Sequence, residues 1–256
     1  MKIELPPLNT LVLWFVLFVS AVNVVNSVYQ RLLIRKQQKK RYLKIERPKS
    51  HFAYPVLYTQ IILLVFFTIS YNMGWDFLSV GLKFTIFPLA SLIVGIICYI
   101  IFVLGLNKIF KLLKVSEVLE DETYRVLVRL MPRHKLQKIL LLIAICLLNP
   151  ITEELMFRGI LVHQLGIYIN NHWLAIAIGL FVNIGNHIYQ GKLQITTHIT
   201  FYLIVVALLY SPVGLLGAIG FHFCGDIYPF MSLKHDVINY KKRRRSKRIS
   251  NLNRRQ

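Results

Sequence analysis

Seven apolar stretches, separated by polar or basic connections, account for most of the 256-residue chain. They run over about 9–29, 54–74, 82–106, 139–164, 172–190, 194–211 and 213–231. Each is about as long as a helix must be to cross ~30 Å of hydrocarbon at ~1.5 Å per residue. Ten-residue segments of alternating polarity, the mark of a membrane β-barrel, do not occur. The pattern predicts an all-α, polytopic membrane helical bundle of about seven transmembrane helices.

Composition agrees. The chain is 55% hydrophobic with a mean hydropathy of +0.54, too apolar for a soluble domain of this length. The net charge of +20 suggests nucleic acid until the charges are located. Residues 31–50 carry nine Lys/Arg and one Glu, residues 107–138 eight Lys/Arg and four acids, and residues 232–256 ten Lys/Arg and one Asp. Basic charge confined to alternate connections is the positive-inside pattern, so no nucleic-acid partner is expected. The pattern predicts a multi-pass cell-membrane protein with its N-terminus outside and its C-terminus in the cytosol. Residues 115–131 mix charged and apolar positions at helical spacing and predict an amphipathic surface helix. The run Lys241 to Arg248 predicts a disordered tail drawn to anionic lipid. Three regions result: N-terminal transmembrane helices with basic cytosolic loops (1–138), a helical core (139–231) and a basic tail (232–256). The first apolar run is too long for a cleaved signal peptide and is followed by basic residues. Cys98, Cys146 and Cys224 all fall in apolar segments without metal-type spacing and read as small buried hydrophobes. A composition rich in Lys, Ile and Asn suggests a low-GC bacterium.

One segment breaks the apolar pattern. In Asn149-Pro150-Ile151-Thr152-Glu153-Glu154-Leu155-Met156-Phe157-Arg158-Gly159, three charges fall within six residues. Each costs roughly 2.5–3.5 kcal/mol at a membrane-helix centre, so packing alone does not account for them. Polar pairs at i, i+4 recur in three spans, and each pair shares a helix face: Glu154 with Arg158, Asn183 with His187, and His222 with Asp226. In lipid such faces turn inward. If the three meet, carboxylates, imidazoles and a guanidinium surround one cavity, a set able to do acid–base chemistry on water. His163, His172, His198 and Asn23 are lone polar groups and read as helix-interface contacts. The H-E-x-x-H zinc helix, the serine–histidine pairing and the second intramembrane aspartate of other intramembrane proteases are missing.

The sequence Glu153-Glu154-x-x-x-Arg158, a histidine in the next span and a His-x-x-x-Asp in a later one resemble the CPBP family. That family comprises type II CAAX prenyl proteases and bacteriocin-processing or immunity (Abi) membrane proteins. The resemblance covers about residues 139–230. It implies an intramembrane endopeptidase in which Glu153 and His187 activate water, His222 and Asp226 stabilise the oxyanion, and Glu154 and Arg158 hold the site together. The chain departs from the family pattern at Asn183, where phenylalanine is usual (Phe181 is two residues early), and at Asp226, where asparagine is common. An ionised aspartate cannot donate a hydrogen bond, so Asp226 must be protonated or must orient His222.

Peptide hydrolysis needs a base for water, a proton for the leaving amine and donors for the oxyanion, and the six residues offer all three. Two histidines and a glutamate also match a His₂Glu zinc set, and spacing does not choose between the two chemistries. Arg158 beside that set disfavours a divalent cation electrostatically, so a cofactor-free site is expected. The expected partner is a membrane-associated peptide or protein substrate. The rival expectation is a non-catalytic regulator or bacteriocin-immunity protein on the same fold. A transporter would be expected to show an inverted repeat, and none is seen. Straight helices would leave Glu153 and His187 about 10 Å apart in depth, given ~1.5 Å per residue, so a break at Asn149-Pro150 is expected to bring them level.

Overall fold

The computed structural model describes residues 7–39, 53–75, 88–112, 135–188 and 192–228. The elements among them are helices: α1 (Pro7–Lys39), α2 (Ala53–Asn72), α3 (Pro88–Leu112), α4 (Lys135–Tyr168), α5 (His172–His187), α6 (Lys192–Tyr210) and α7 (214–228). By length and composition, three stretches can cross a membrane: Leu8–Tyr29, Pro88–Ile109 and Lys135–Tyr168. Leu57–Asn72 and Ile195–Tyr210 are apolar but shorter. The predicted surface helix at 115–131 and the tail 232–256 lie outside the described residues.

The helices are built inside out relative to a soluble protein. On α1 the large exposed side chains include Leu11, Trp14, Phe18, Val22 and Val25, while Asn9, Ser20 and Ser27 are buried. On α3 the exposed set is Ile93, Ile97, Ile100, Ile101 and Leu104, and Ser91 is buried. Apolar faces of that extent are not left bare in water. They suit lipid, with small and polar residues at helix contacts. The chain is an all-α membrane bundle.

Two turns show how local chemistry ends the helices. After α2, Gly74 takes a φ of 96°. After α4, Asn170 takes a φ of 53°. Both close the same double hydrogen bond: Asn171 N–H donates to Gly166 O (3.0 Å) and Asn170 N–H to Ile167 O (3.2 Å), as Trp75 and Gly74 do to Ser70 and Tyr71 (2.9 Å each). A left-handed residue satisfies the last helical carbonyls in this way, and Gly and Asn adopt that conformation most readily. Asn171 then caps α5, its side chain accepting from Leu174 N–H at 3.0 Å. The dipeptide Asn170-Asn171 thus stops one helix and starts the next.

The expected break at Asn149-Pro150 is not there, and α4 continues through it. Pro150 offers no N–H to the carbonyl of Cys146 and crowds it. The helix adapts by widening: Ile143–Leu148 is π-helical, and Asn149 N–H reaches back five residues to Ala144 O. A short α-helical stretch, Asn149–Glu153, with Pro150 in its first turn, precedes a second π-helical stretch, Glu154–Gln164. Wide turns of this kind commonly occur at functional sites.

Contacts fix the helix directions. Asn9 O accepts from Gln164 Nε2 at 2.9 Å, so α1 starts where α4 ends. Ser27 Oγ donates to Asn186 O at 2.8 Å and Arg31 donates to Ile188 O, so α1 runs parallel to α5. His172 lies beside Tyr210 and Tyr202 beside Ile176, so α6 runs opposite to α5. Helices α3 and α7 run parallel and very close. A Cβ on Gly95 would collide with the backbone of Gly217 and Phe221, and one on Gly220 with the backbone of Leu92.

Candidate functional site

Glu154 is the centre of the site. Its carboxylate is fully buried, where an unpaired charge would be prohibitive. Arg158, one turn on and 1% exposed, places Nη1 3.2 Å from Glu154 Oε1. The guanidinium also lies over the Tyr202 ring, 5.1 Å from its centroid, a cation–π contact from α6. From α7, His222 Nδ1 meets the same Oε1 at 2.6 Å. A carboxylate only accepts, so this bond makes Nδ1 the donor and fixes the ring.

With Nδ1 committed, the other edge of His222 faces two more carboxylates. Nε2 is 3.8 Å from Glu153 Oε2 and 3.6 Å from Asp226 Oδ2, too long for direct hydrogen bonds. Exposure divides the set: Glu154 and Arg158 are sealed at 0% and 1%, whereas Glu153 and Asp226 keep 24% and 22% of their side chains accessible. Five of the six expected residues therefore gather within 4 Å of one another in turn, from two helices, with Glu154 and His222 68 residues apart in sequence.

The sixth, His187, enters from α5. Its Nδ1 donates to Asn183 O at 2.8 Å, since a carbonyl has no hydrogen to give. In the neutral ring Nε2 then carries the lone pair, the state a general base needs. Asn183 is buried at 3% exposure, while Phe181 is 73% exposed and faces away from the core. The asparagine, not the displaced phenylalanine, thus occupies the inward position of the second motif.

His198, read from the sequence as a helix-interface residue, makes its contact across the α5–α6 interface with His187, the rings stacked with centroids 3.8 Å apart and planes at 29°. Phe201 continues the line to His222, its centroid 6.5 Å from His198 and 5.3 Å from His222. His163, His172 and Tyr210 gather at the other end of the bundle, His172 Nδ1 lying 3.1 Å from the Tyr210 hydroxyl. Asn23 is exposed on α1. The three cysteines are free thiols, Cys146 buried and the others half-buried.

Sequence reading also missed a polar chain leading into the site from α2. Thr152 Oγ1 donates to Gln60 Oε1, Gln60 Nε2 to Asn149 Oδ1 (2.9 Å) and Asn149 Nδ2 to Asp226 Oδ2 (3.4 Å). A single buried Gln in an apolar run carries no spacing signal, so only the packing of α2 on α4 reveals it. Among the described residues, no three His, Cys, Asp or Glu side chains come together as a metal-holding group.

Residues 135–228, which hold this arrangement, match a family model described as type II CAAX prenyl endopeptidase Rce1-like. Over this segment the chain is similar to that family, in agreement with the CPBP resemblance of its motifs. The segment takes in α4 to α7 and all six expected residues, and leaves α1 to α3 outside the match. No curated protein and no solved structure matches the chain. The matched segment thus carries the site, while α1 and α2 reach it from outside: α1 ties down the carbonyl end of α5 next to His187, and α2 supplies Gln60.

Proposed function

We propose that the protein is an intramembrane endopeptidase that hydrolyses a peptide bond in a membrane-associated peptide or protein. The observation that carries this reading is the posture of His222: Glu154 holds its Nδ1 at 2.6 Å, and its Nε2 edge is turned to the part-exposed carboxylates Glu153 and Asp226. A sealed pair supports an accessible group of acids and imidazoles, as acid–base chemistry on water requires.

Glu153, with His187 as the second base, takes a proton from water as its oxygen attacks the scissile carbonyl. The C–N bond then breaks, and Glu153 returns that proton to the leaving amine. His222 donates to the oxyanion from Nε2, and Asp226 orients that edge. Glu154 and Arg158 do not touch substrate and keep His222 in place.

The test compares peptides recovered from cells producing the wild-type protein with those from cells producing Glu153→Ala at matched abundance. Fragments present only with the wild type are expected. Identical peptide sets would overturn the protease reading. The rival, a regulator or immunity protein on the same scaffold, predicts a cellular phenotype that survives Glu153→Gln, His187→Ala and His222→Ala alike.

A further inference from the structure

Asp226 is anchored on its far side by Asn149, and the amide of Asn149 has two possible orientations. One points Nδ2 at Asp226, as a donor to a carboxylate; the other points Oδ1 there, setting two acceptors against each other. Gln60 Nε2 donates to Asn149 Oδ1 at 2.9 Å, which leaves Asn149 Nδ2 for Asp226 Oδ2 at 3.4 Å. Gln60 Oε1 in turn accepts from the Thr152 hydroxyl, which also lies 3.2 Å from Leu148 O and 3.1 Å from Asn149 O. Thr152 is fully buried and Gln60 is 8% exposed, so water does not readily take over these bonds. A carboxylate at Asp226 only accepts, and that end gives the links their direction: amide nitrogen to carboxylate, amide nitrogen to amide oxygen, hydroxyl to amide oxygen.

We propose that Gln60, on a helix outside the matched segment, is a positioning residue for the site: through Asn149 it sets which atoms Asp226 meets and so holds Asp226 against the Nε2 edge of His222. The geometry of the relay stands without the protease reading; its effect on rate rests on that reading. The contact also gives α2 a function, because it is how this helix acts on a residue carried by α7.

Reversing the relay tests it. In Gln60→Glu, residue 60 can only accept. Asn149 must turn its Nδ2 toward it and present Oδ1 to Asp226, an acceptor facing an acceptor. Adding Asp226→Asn supplies a donor at the far end, and the chain closes with the 60–149 and 149–226 links reversed while Thr152 still donates to residue 60. Two quantities are read for the wild type, both single variants and the double: the melting temperature in detergent, and the release of the wild-type-specific fragments per folded molecule. Gln60→Glu is expected to melt lower and to lose about tenfold or more in rate, the scale of effect of a slightly misplaced catalytic group. The double variant is expected to recover both toward the values of Asp226→Asn. Gln60→Leu, which breaks the relay without reversing it, is expected to lose rate with no recovery on adding Asp226→Asn. Losses that simply add in the Gln60→Glu/Asp226→Asn double overturn the proposal, and so does a melting temperature that moves while the rate per folded molecule stays at the wild-type value in every Gln60 variant. If melting recovers in the double but no version releases fragments, the relay stands and the protease reading fails.

Discussion

Arg158 illustrates how a buried charge is tolerated. It satisfies Glu154 at 3.2 Å and rests on the face of Tyr202, so neither charge is left alone. Removing one partner of a buried pair typically costs about 3–5 kcal/mol, because the other charge stays unpaired. Arg158→Ala is therefore expected to reduce protein abundance and melting temperature as well as activity, and Arg158→Lys to rescue only part, since an ammonium lacks the planar surface that stacks on Tyr202. A normally abundant Arg158→Ala protein would contradict this. Asp226 calls for the opposite substitution. In Asp226→Asn, the amide oxygen can take the place of Oδ2, accepting from Asn149 and facing the His222 edge, while Nδ2 adds a donor to the site without needing to be protonated first. Activity is expected to be kept or raised, whereas His222→Ala is expected to abolish it, an oxyanion donor being worth roughly 2.7–4 kcal/mol. Loss of fragment release in Asp226→Asn at normal abundance would show that the ionised carboxylate is needed. At this scale, sequence revealed what one helix turn can reveal. Glu154 with Arg158, and His222 with Asp226, are each four residues apart and share a face. His198 and Gln60 escaped because their partners lie on other helices, and the distance along the chain from Gln60 to Asn149 says nothing about the distance through space.

Between elements, the decisive feature is how closely backbones approach. Helix α7 carries His222 and Asp226, and it lies against α3 where Gly95 and Gly220 leave no room for a side chain. Small residues at such contacts are the usual means of close packing in lipid, where the hydrophobic effect does not drive helices together. Gly220→Val would set a branched side chain against the backbone of Leu92, which cannot give way as a flexible side chain can. Overpacking of this kind costs about 1–3 kcal/mol, and the shift of α7 is expected to displace His222 from Glu154. The expected result is a lower melting temperature together with a loss of fragment release, and unchanged values for both would refute the close contact. A milder test lies at the turn into α5. Asn170→Gly is expected to be neutral and Asn170→Val to lower the melting temperature, because a left-handed residue with a Cβ costs about 1–2 kcal/mol and branching adds to it. Sequence predicted that connection, since Asn-Asn interrupts two apolar runs. It did not predict the course of α4, because proline signals the loss of one hydrogen bond but not whether a helix breaks or widens. Here it widens, and the second wide stretch begins at Glu154, within the motif itself.

Across the whole molecule, the helix directions give the charge pattern its meaning. Helix α7 runs opposite to α4, since Asn149 lies beside Asp226 and Glu154 beside His222. Helices α1, α3, α5 and α7 therefore run one way, and α4 and α6 the other. The described ends flanking the basic segments, the C-termini of α1, α3 and α7 and the N-terminus of α4, all lie at one end of the bundle. The +8 of residues 31–50 and the +9 of residues 232–256 follow from α1 and α7 at that end, and the +4 of residues 107–138 joins α3 to α4 there. Apolar run lengths made the helical class and the order of elements legible in advance, because the bilayer sets both. Which helices touch was not legible, since every lipid-facing surface is equally apolar. The positive-inside rule then predicts that the basic end faces the cytosol. In a protein with Cys98, Cys146 and Cys224 replaced by alanine, single cysteines introduced as Lys40→Cys and Arg245→Cys are expected to resist a membrane-impermeant thiol reagent added to intact cells and to react once the cells are permeabilised. Labelling of either from outside would invert the bundle. The glycine-lined parallel pairing of α3 and α7 would survive that result, but the assignment of the basic segments to the cytosol would not.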